Sequence, residues 1–246
     1  MKNEQVGRNG MRDELSTRLT RVARYVPQSQ RVADIGADHA MLLSYLVSEG
    51  RVASGVAGEV NWGPFKNARD RVYALGMERE ISVRKGDGLE VIAPGEAEVI
   101  MIAGMGGALI ASILDKGADE LEGVRRLVLQ PNNGQVRLRK WLFEHGWQLI
   151  AEDLVEDGGI VYTILVAEPG DVSKPYQRID LPLEIAMEVG PILWKEKHPL
   201  IQGHIKETIA ERERILKDLA AGRSQKAQVR KQHLEEELET WRRLLQ

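Results

Sequence analysis

The chain of 246 residues contains no cysteine. Disulfide bonds, thiolate nucleophiles and zinc held by cysteine are therefore excluded. The chain also lacks an excess of basic residues, since its formal net charge is -3, which argues against a uniformly basic nucleic-acid binder but leaves room for local patches. No apolar run reaches the roughly 18 residues that a membrane-spanning helix needs. We therefore expect a soluble, cytoplasmic protein with no membrane partner.

The chain does have enough apolar sequence for a full core, because 43% of its residues are hydrophobic and its length suits one medium-sized domain with an appendage. Seven apolar runs are separated mostly by helical patterns, which predicts an α/β fold with a mostly parallel sheet. The uninterrupted run in "AEVIMIAGMGG" predicts a central strand covered on both faces. The last two runs flank Gly158-Gly159, so they predict a hairpin that adds an antiparallel strand.

The composition changes after Gly170, where "GDVSKPYQRIDLP" is typical of a linker. Beyond it, apolar residues recur at alternating spacings of four and three in two helices joined by the turn-like "AAGRSQ". Narrow apolar seams of this kind predict an antiparallel coiled-coil hairpin. We therefore predict a first domain at 1–170, followed at 171–246 by a linker and a helical coiled-coil domain. The seam residues are Ile205, Ile209, Arg212, Leu216 and Leu219 in one helix, and Leu234, Leu238, Trp241 and Leu245 in the other.

The stretch "VADIGADHAMLLSYL" begins like a nucleotide-binding strand and turn, but Gly36 is its only glycine where a dinucleotide-binding turn has three. Carboxylates stand there instead, from Asp34 and Asp38. Glu59 ends the next predicted strand, and Asp87 follows the third. Ligands of open parallel sheets bind at the carboxyl ends of the strands. We therefore expect these carboxylates to share one site.

The chemistry of this set favours an adenosine ligand without a phosphate. Glu59 can accept hydrogen bonds from both ribose hydroxyls, and Asp87 can accept one from an adenine amino group. S-adenosylmethionine fits because it carries a sulfonium and an ammonium cation, which carboxylates bind better than bare amides do. Gly36 and Gly104 allow the backbone to approach such a ligand closely. The sequence therefore predicts S-adenosylmethionine as the ligand.

Each of these residues also has a simpler interpretation. Asp38 is a favoured cap for a helix that begins at His39. Glu59 alone fits a solvated carboxylate, Asp87 followed by glycine fits an ordinary turn, and "AGMGG" fits a tight junction between strand and helix. His39 alone fits a packed or surface position, since nothing shows its partner. The order and spacing of the whole set favour one common site over these separate explanations.

Five separated motifs, "ADIGADHA", "AGEVNWGPFKNA", "GDGLEVI", "IAGMGGALI" and "LVLQPN", resemble in this order the bacterial tRNA (adenine-22-N(1))-methyltransferase family, TrmK. The resemblance covers residues 15–170 closely and the helical tail more loosely. It implies a Rossmann-like class I methyltransferase fold with a seven-stranded sheet, S-adenosylmethionine as the methyl donor, and adenosine 22 of tRNA as the acceptor. The chain departs from the family pattern at Met41 and Leu43, where the family usually has tyrosine and proline.

The resemblance also implies the roles of individual residues. The catalytic residues on the acceptor side are Asp38, His39 and Asn132. The substrate contacts it implies are Arg18, Gln130 and Pro131. No metal site is implied. The donor-binding residues are Asp34, Gly36, Glu59, Val60, Asp87, Gly88, Ala103, Gly104 and Gly106.

The implied reaction needs little covalent help from the protein. N(1) of adenine carries a free lone pair, so no proton has to leave before it attacks the sulfonium methyl. "AGMGG" also stands where methyltransferases of exocyclic amines carry an Asp/Asn-Pro-Pro-aromatic motif. The enzyme must instead extract the base, align it and stabilise the positive charge that grows on the ring. We predict that Asp38 faces the amino edge of the adenine and provides that stabilisation.

A tRNA ligand requires local basic patches despite the acidic total. Arg18, Arg21 and Arg24 are spaced by three and are predicted to lie along one helix face, with an ordinary solvated face as the alternative. A second basic run, "QVRLRKW", is predicted to add to this basic surface, and it also fits an ordinary solvated helix face. The coiled-coil hairpin carries mixed charge, and the sequence leaves open whether it binds tRNA, stiffens the protein or pairs two copies, with a monomer favoured.

The residues are compatible with three functions. The favoured one is the tRNA methyltransferase. A methyltransferase for a protein or a small molecule is the second, and its activity is expected to be independent of tRNA. A non-enzymatic scaffold built around the coiled coil is the third, and it would not bind S-adenosylmethionine selectively.

Overall fold

The computed structural model describes residues 15–219 and 225–245. Within them the chain forms two compact units, with the division between Gln177 and Arg178. The first unit contains a seven-stranded sheet, and the described part of the second is helical. The domain boundary predicted at Gly170 stays a prediction. The turn predicted at 220–225 lies, apart from Gln225, outside the described residues.

The sheet runs through the whole of the first unit. Its strands are β1 (Ser29–Ile35), β2 (Val52–Glu59), β3 (Ile81–Lys85), β4 (Val99–Gly106), β5 (Arg126–Asn133), β6 (Trp147–Asp157) and β7 (Ile160–Pro169). Their order is β3-β2-β1-β4-β5-β7-β6, and β7 is antiparallel to both of its neighbours while the other pairs are parallel. The predicted mostly parallel sheet with an antiparallel closing hairpin is therefore confirmed.

The strand order reverses between β1 and β4, which are neighbours at the centre of the sheet. From β1 the chain proceeds to β2 and β3 on one side, and from β4 it proceeds to β5 on the other. Ile100, Met101 and Ile102 of β4 are all 0% exposed, as expected for a strand covered on both faces. A ligand site is expected in the crevice between the carboxyl ends of β1 and β4.

Helices pack around the sheet in the first unit and make up the second. The first unit contains α1 (Thr17–Arg24), α2 (Met41–Ser48), α3 (Trp62–Ala74), α4 (Gly107–Lys116) and α5 (Gln135–Glu144). The second contains α6 (Leu183–Val189), α7 (Pro191–Lys195), α8 (Ile201–Leu219) and α9 (Gln225–Arg243). No helix in the described ranges combines the length and the hydropathy needed to cross a membrane.

Two predicted boundaries were wrong. The helix expected from His39 begins at Met41, because the three residues before it have left-handed φ angles and cannot continue a right-handed helix. The second is the boundary of the alternative in which "AGMGG" forms a junction between strand and helix, because β4 runs through Gly106. The register of β4 against β5 shifts at Met105, so this end of the strand is irregular.

The second unit is built on the pair α8 and α9. Each helix has 19 residues and is about 28 Å long, whereas the five residues between them span at most roughly 20 Å, so the helices run antiparallel. Arg212 lies 4.7 Å from the centre of the Trp241 ring. Arg242 pairs with Glu213 at 2.6 Å. The buried seam residues are Ile205, Ile209, Leu234, Leu238 and Trp241.

Candidate active site

A cleft of about 520 Å³ opens where the strand order reverses. Its walls come from the carboxyl ends of β1, β2, β4 and β5, from the turn after β3, from β7 and from residues of α1 to α4. Clefts of this size and position are typical of sites for small molecules.

The cleft is rich in carboxylates. Asp34, Asp38, Glu59 and Asp87 line it, and Arg18 is the only lysine or arginine among the described wall residues. This excess of carboxylates over basic side chains suits a cationic ligand. Among its described residues, the wall has no pair of basic side chains that could bind a pyrophosphate. The donor predicted from the sequence is therefore compatible with the charges of the cleft.

Asp34 is the most buried of these carboxylates, with 4% of its surface exposed. Burial raises its pKa from 3.8 to about 7, and the negative charges of Glu59 and Asp38 act in the same direction. The carboxyl group is therefore close to half protonated at neutral pH. A cation bound beside it favours the charged form and lowers the pKa again.

Glu59 connects the end of β2 to the turn that follows β1. It is 6% exposed, and its Oε1 accepts the backbone N–H of Asp38 at 2.7 Å. Burial raises the pKa of Glu59, and the bond from Asp38 opposes this rise. The Oε2 atom accepts no hydrogen bond from the described residues, so it is available to a ligand.

The turn after β1 is strained. Asp38, His39 and Ala40 have φ angles of 32°, 61° and 53°, a conformation that costs a non-glycine residue about 1–3 kcal/mol. Ala40 occupies the N-cap position of α2, and no side chain caps the helix, so the interpretation of Asp38 as a helix cap is wrong. The Asp38 side chain is 87% exposed, and its Oδ1 lies 3.6 Å from Nε2 of His39.

Two glycines shape the floor of the cleft. Gly36 has a φ of +70°, and a Cβ there would lie 2.1 Å from Cε of Met105. Gly104 has a φ of +78°, which is also unfavourable for other residues. Because neither position carries a side chain, a ligand can approach the backbone at the ends of β1 and β4, as S-adenosylmethionine would require.

A hydrogen-bond network fixes the wall on the side of β5. Gln130 is completely buried, and its Oε1 accepts the N–H of Gly104 at 3.0 Å and a bond from the Arg18 guanidinium. Its Nε2 donates to Oδ1 of Asn132 at 3.1 Å, and Nδ2 of Asn132 donates to the Gly104 carbonyl at 2.8 Å. The Arg18 guanidinium also lies 5.3 Å from the centre of the Tyr162 ring. The ends of β4, β5 and α1 are thereby tied together.

Most of the predicted site residues meet in this cleft. Gln130 supports the wall from behind, and His39 flanks Asp38 without lining the wall. Gly106 and Pro131 also lie outside the wall. The predicted residues that line it are Arg18, Asp34, Gly36, Asp38, Glu59, Val60, Asp87, Gly88, Ala103, Gly104 and Asn132.

Arg21, one of the three arginines predicted to lie along one face of α1, makes an ion pair within the fold. Its guanidinium pairs with Asp153 at 2.8 Å, and the Asp153 side chain is only 4% exposed. Arg24 is exposed and pairs with no acidic residue in the described ranges. In the second basic run, Arg139 is 2% exposed and pairs with Glu152 at 2.6 Å. Arg139 is therefore a buried structural residue, whereas Arg21 holds an ion pair with its side chain partly exposed.

Several residues that line the cleft were not predicted from the sequence. Among them are Tyr162 of β7, Leu109 of α4 and Met105 of β4. Tyr162 reaches the cleft because β7 inserts between β5 and β6, and nothing in the hairpin sequence indicates that order. Leu109 follows the predicted glycine-rich end of β4 by one helical turn, so the helical period could have identified it.

Seven strands in this order, with one antiparallel strand next to the edge, form the fold of class I S-adenosylmethionine-dependent methyltransferases, and the acidic cleft suits their cationic donor. A family model described as tRNA (adenine(22)-N(1))-methyltransferase matches residues 32–243. The chain belongs to this family. It is an enzyme that transfers a methyl group from S-adenosylmethionine to N(1) of adenosine 22 in tRNA.

Known proteins of the same kind are similar over most of the chain. The tRNA (adenine(22)-N(1))-methyltransferase of Bacillus subtilis is 49% identical over 185 residues, which cover 75% of this chain and 77% of that protein. The crystal structure of the B. subtilis M1A22 tRNA methyltransferase matches 95% of this chain and 99% of its own with a TM-score of 0.89 at 41% identity. A proposed tRNA (m1A22) methyltransferase of Streptococcus pneumoniae in complex with S-adenosyl-L-methionine matches 95% of this chain and 100% of its own with a TM-score of 0.81 at 36% identity.

Proposed function

We propose that the residues of the cleft divide the reaction between a donor side, formed by Asp34, Glu59 and Asp87, and an acceptor side, formed by Asp38, His39 and Asn132. When bound, S-adenosylmethionine supplies a methyl group on a cationic sulfonium. Glu59 uses its free Oε2 to accept hydrogen bonds from the ribose, and Asp87 accepts one from the adenine amino group. Asp34 balances the positive charge of the methionine part. The observation that carries this proposal is the excess of carboxylates over cations in the wall.

On the acceptor side, Asp38 accepts a hydrogen bond from the amino group of the target adenine and orients N(1) towards the methyl group. Its charge also favours the positively charged product, and this effect is strongest when the group is preorganised. His39 lies beside Asp38 and acts as a positioning residue. The amide of Asn132 is held at both ends by Gln130 and Gly104, so it presents a fixed polar edge to the flipped base.

These residues all precede Gly170, so we propose that donor binding and methyl transfer belong to the domain at 1–170. The helical domain at 171–246 then supplies no donor contact. We also propose that the enzyme acts in the cytoplasm, because its substrate is tRNA.

Donor binding is expected to release a proton from Asp34. Its pKa is raised to about 7 in the free protein, so at pH 6 it is mostly protonated, and a bound cation drives the proton off. Titration calorimetry at pH 6 in two buffers of different ionisation enthalpy should show close to one proton released per donor bound. Asp34→Asn, the matched control, should abolish the release. A heat of binding that is the same in both buffers would contradict the assignment.

The same group makes the stability of the free protein depend on pH. The pKa of Asp34 is about 7 in the folded protein and has its ordinary value of 3.8 in the unfolded chain, so the unfolded chain loses this proton at a lower pH than the folded protein does. The protonated Asp34 side chain therefore raises the free energy of unfolding. This stabilisation is complete below the unfolded pKa of 3.8 and is lost as the pH rises towards 7. Asp34→Asn should therefore flatten the pH dependence of the melting temperature in this range.

Arg24 and Arg21 are expected to respond differently to alanine substitution. Arg24→Ala should lower the salt dependence of tRNA affinity by about 0.9, the value for one phosphate contact on duplex DNA, and leave the melting temperature unchanged. Arg21→Ala should instead destabilise the fold by roughly 1 kcal/mol, since Asp153 loses its ion pair with Arg21 but keeps its hydrogen bond from the Tyr25 hydroxyl. Salt titrations and thermal melts of both variants separate the two roles. An unchanged salt slope for Arg24→Ala would make it an ordinary surface residue.

A further inference from the structure

Large apolar side chains stay exposed around the mouth of the donor cleft. Val60 and Leu109, which line the cleft, are 51% and 54% exposed. Trp62, the first residue of α3, is 71% exposed and follows Val60 by two positions. Single apolar residues on a surface need no explanation, but a group of them beside a binding site indicates a contact surface.

Neighbouring side chains hold the Trp62 ring in place. Nζ of Lys85 lies 4.9 Å from the ring centre. The Phe65 ring meets it edge-on, with the centres 5.7 Å apart and an angle of 84° between the planes. The indole ring is therefore positioned before any partner arrives, although most of its surface is open. A fixed and exposed aromatic ring is a suitable platform for a planar group.

The charges around this ring favour a nucleotide as the partner. Lys85 ends β3, and Lys66 lies four residues after Trp62, on the same face of α3. Both lysines are exposed, and neither pairs with an acidic side chain of residues 15–219 or 225–245. Proteins bind single-stranded nucleic acid with this combination, in which a base stacks on an aromatic ring and lysines contact the phosphates.

We propose that Trp62, Lys66 and Lys85 form a platform for a second nucleotide of the bound tRNA. The proposal rests on tRNA being the substrate. Trp62 follows β2, whereas Asn132 belongs to β5, and these strands are three positions apart in the sheet. At about 4.8 Å per strand they are separated by roughly 14 Å. The base on Trp62 is therefore a neighbour in the folded tRNA and not the adenosine that receives the methyl group.

The platform acts by holding the RNA across the mouth of the cleft, so its loss should appear in the affinity for tRNA. Removing one stacked base should weaken binding roughly 5- to 100-fold. The Km for tRNA should rise accordingly, and kcat should change much less. The affinity for the methyl donor should not change, because Trp62 does not line the cleft.

Three variants of the full chain test the platform with a transcribed tRNA that has adenosine at position 22. Trp62→Ala removes the ring, and Trp62→Phe keeps an aromatic surface and should retain most of the affinity. Tyr73→Ala is the matched control, because Tyr73 lies on the same helix and is 74% exposed but is distant in sequence from the cleft residues. Filter binding should show weaker tRNA binding for Trp62→Ala alone.

Fluorescence provides a second readout. Trp62 is the most exposed tryptophan, since Trp141, Trp147 and Trp241 are buried and Trp194 is half-buried. Binding of tRNA should therefore protect part of the emission from quenching by acrylamide, and Trp62→Phe should remove that protection.

Two results would overturn the platform. One is an unchanged tRNA affinity for Trp62→Ala while the parent protein still methylates the transcript, which separates failure of the platform from failure of the tRNA function. The other is protection of Trp62 by S-adenosylhomocysteine alone together with weaker donor binding in Trp62→Ala, because the ring would then cover the donor.

Discussion

Replacing Asp38 by asparagine is expected to slow methyl transfer on the order of 10²–10³-fold, the effect of removing one preorganised electrostatic group. Asparagine is nearly the same size and accepts left-handed φ angles, so the turn with Asp38 at 32° should persist. The Asp38 side chain is 87% exposed, and its loss of charge should leave folding unchanged. Single-turnover methylation with both substrates saturating measures the effect directly.

Asp38→Asn is informative because it removes the charge of the side chain and nearly nothing else. Alanine at the same position would also disturb the strained turn and confuse the two effects. Donor and tRNA affinities measured on Asp38→Asn should remain near those of the parent. A rate within a few-fold of the parent would show that Asp38 does not stabilise the charged ring, and His39 or Asn132 would become the candidates.

Replacing Glu59 by alanine is expected to weaken donor binding by roughly 1.5–3 kcal/mol, or about 10- to 150-fold, because a charge-assisted hydrogen bond to the ribose is lost. A second effect follows from the structure. The Asp38 N–H loses its acceptor at 2.7 Å, so the turn that presents Asp38 is released. Turnover at saturating donor should therefore also fall, and tRNA affinity should not change.

Glu59→Gln separates these two effects. Glutamine keeps an oxygen that can accept the Asp38 N–H, but it has no charge for the ribose hydroxyls. We expect it to lose donor affinity and retain most of the turnover at saturating donor. Calorimetry that finds the same donor affinity in Glu59→Ala and the parent would remove Glu59 from the donor site.

Much of the site could be predicted because parallel strands bring their carboxyl ends to one edge. Asp34, Glu59 and Asp87 follow three different strands, and the apolar runs before them identify those strands without a structure. The lack of further glycines in the first turn then indicated a ligand without a phosphate. Local patterns were sufficient for this part of the account.

The rest depends on contacts between segments distant in sequence. The ion pair of Arg21 was not predicted, because its partner, Asp153, lies 132 residues away on another element. The left-handed turn at Asp38 escaped prediction because Glu59 on the next strand accepts its N–H, and glycine does not mark the turn. Tyr162 was missed because the position of β7 in the sheet is decided by packing.

The central claim is that this chain methylates N(1) of adenosine 22, and one measurement tests it most directly. The purified protein is incubated with S-adenosylmethionine and a tRNA transcript, and the product is analysed by reverse transcription, since a methyl group on N(1) blocks base pairing. We predict a stop beside adenosine 22 that is absent when the transcript carries guanosine there. Methylation without a stop, or a stop at another adenosine, would contradict the account.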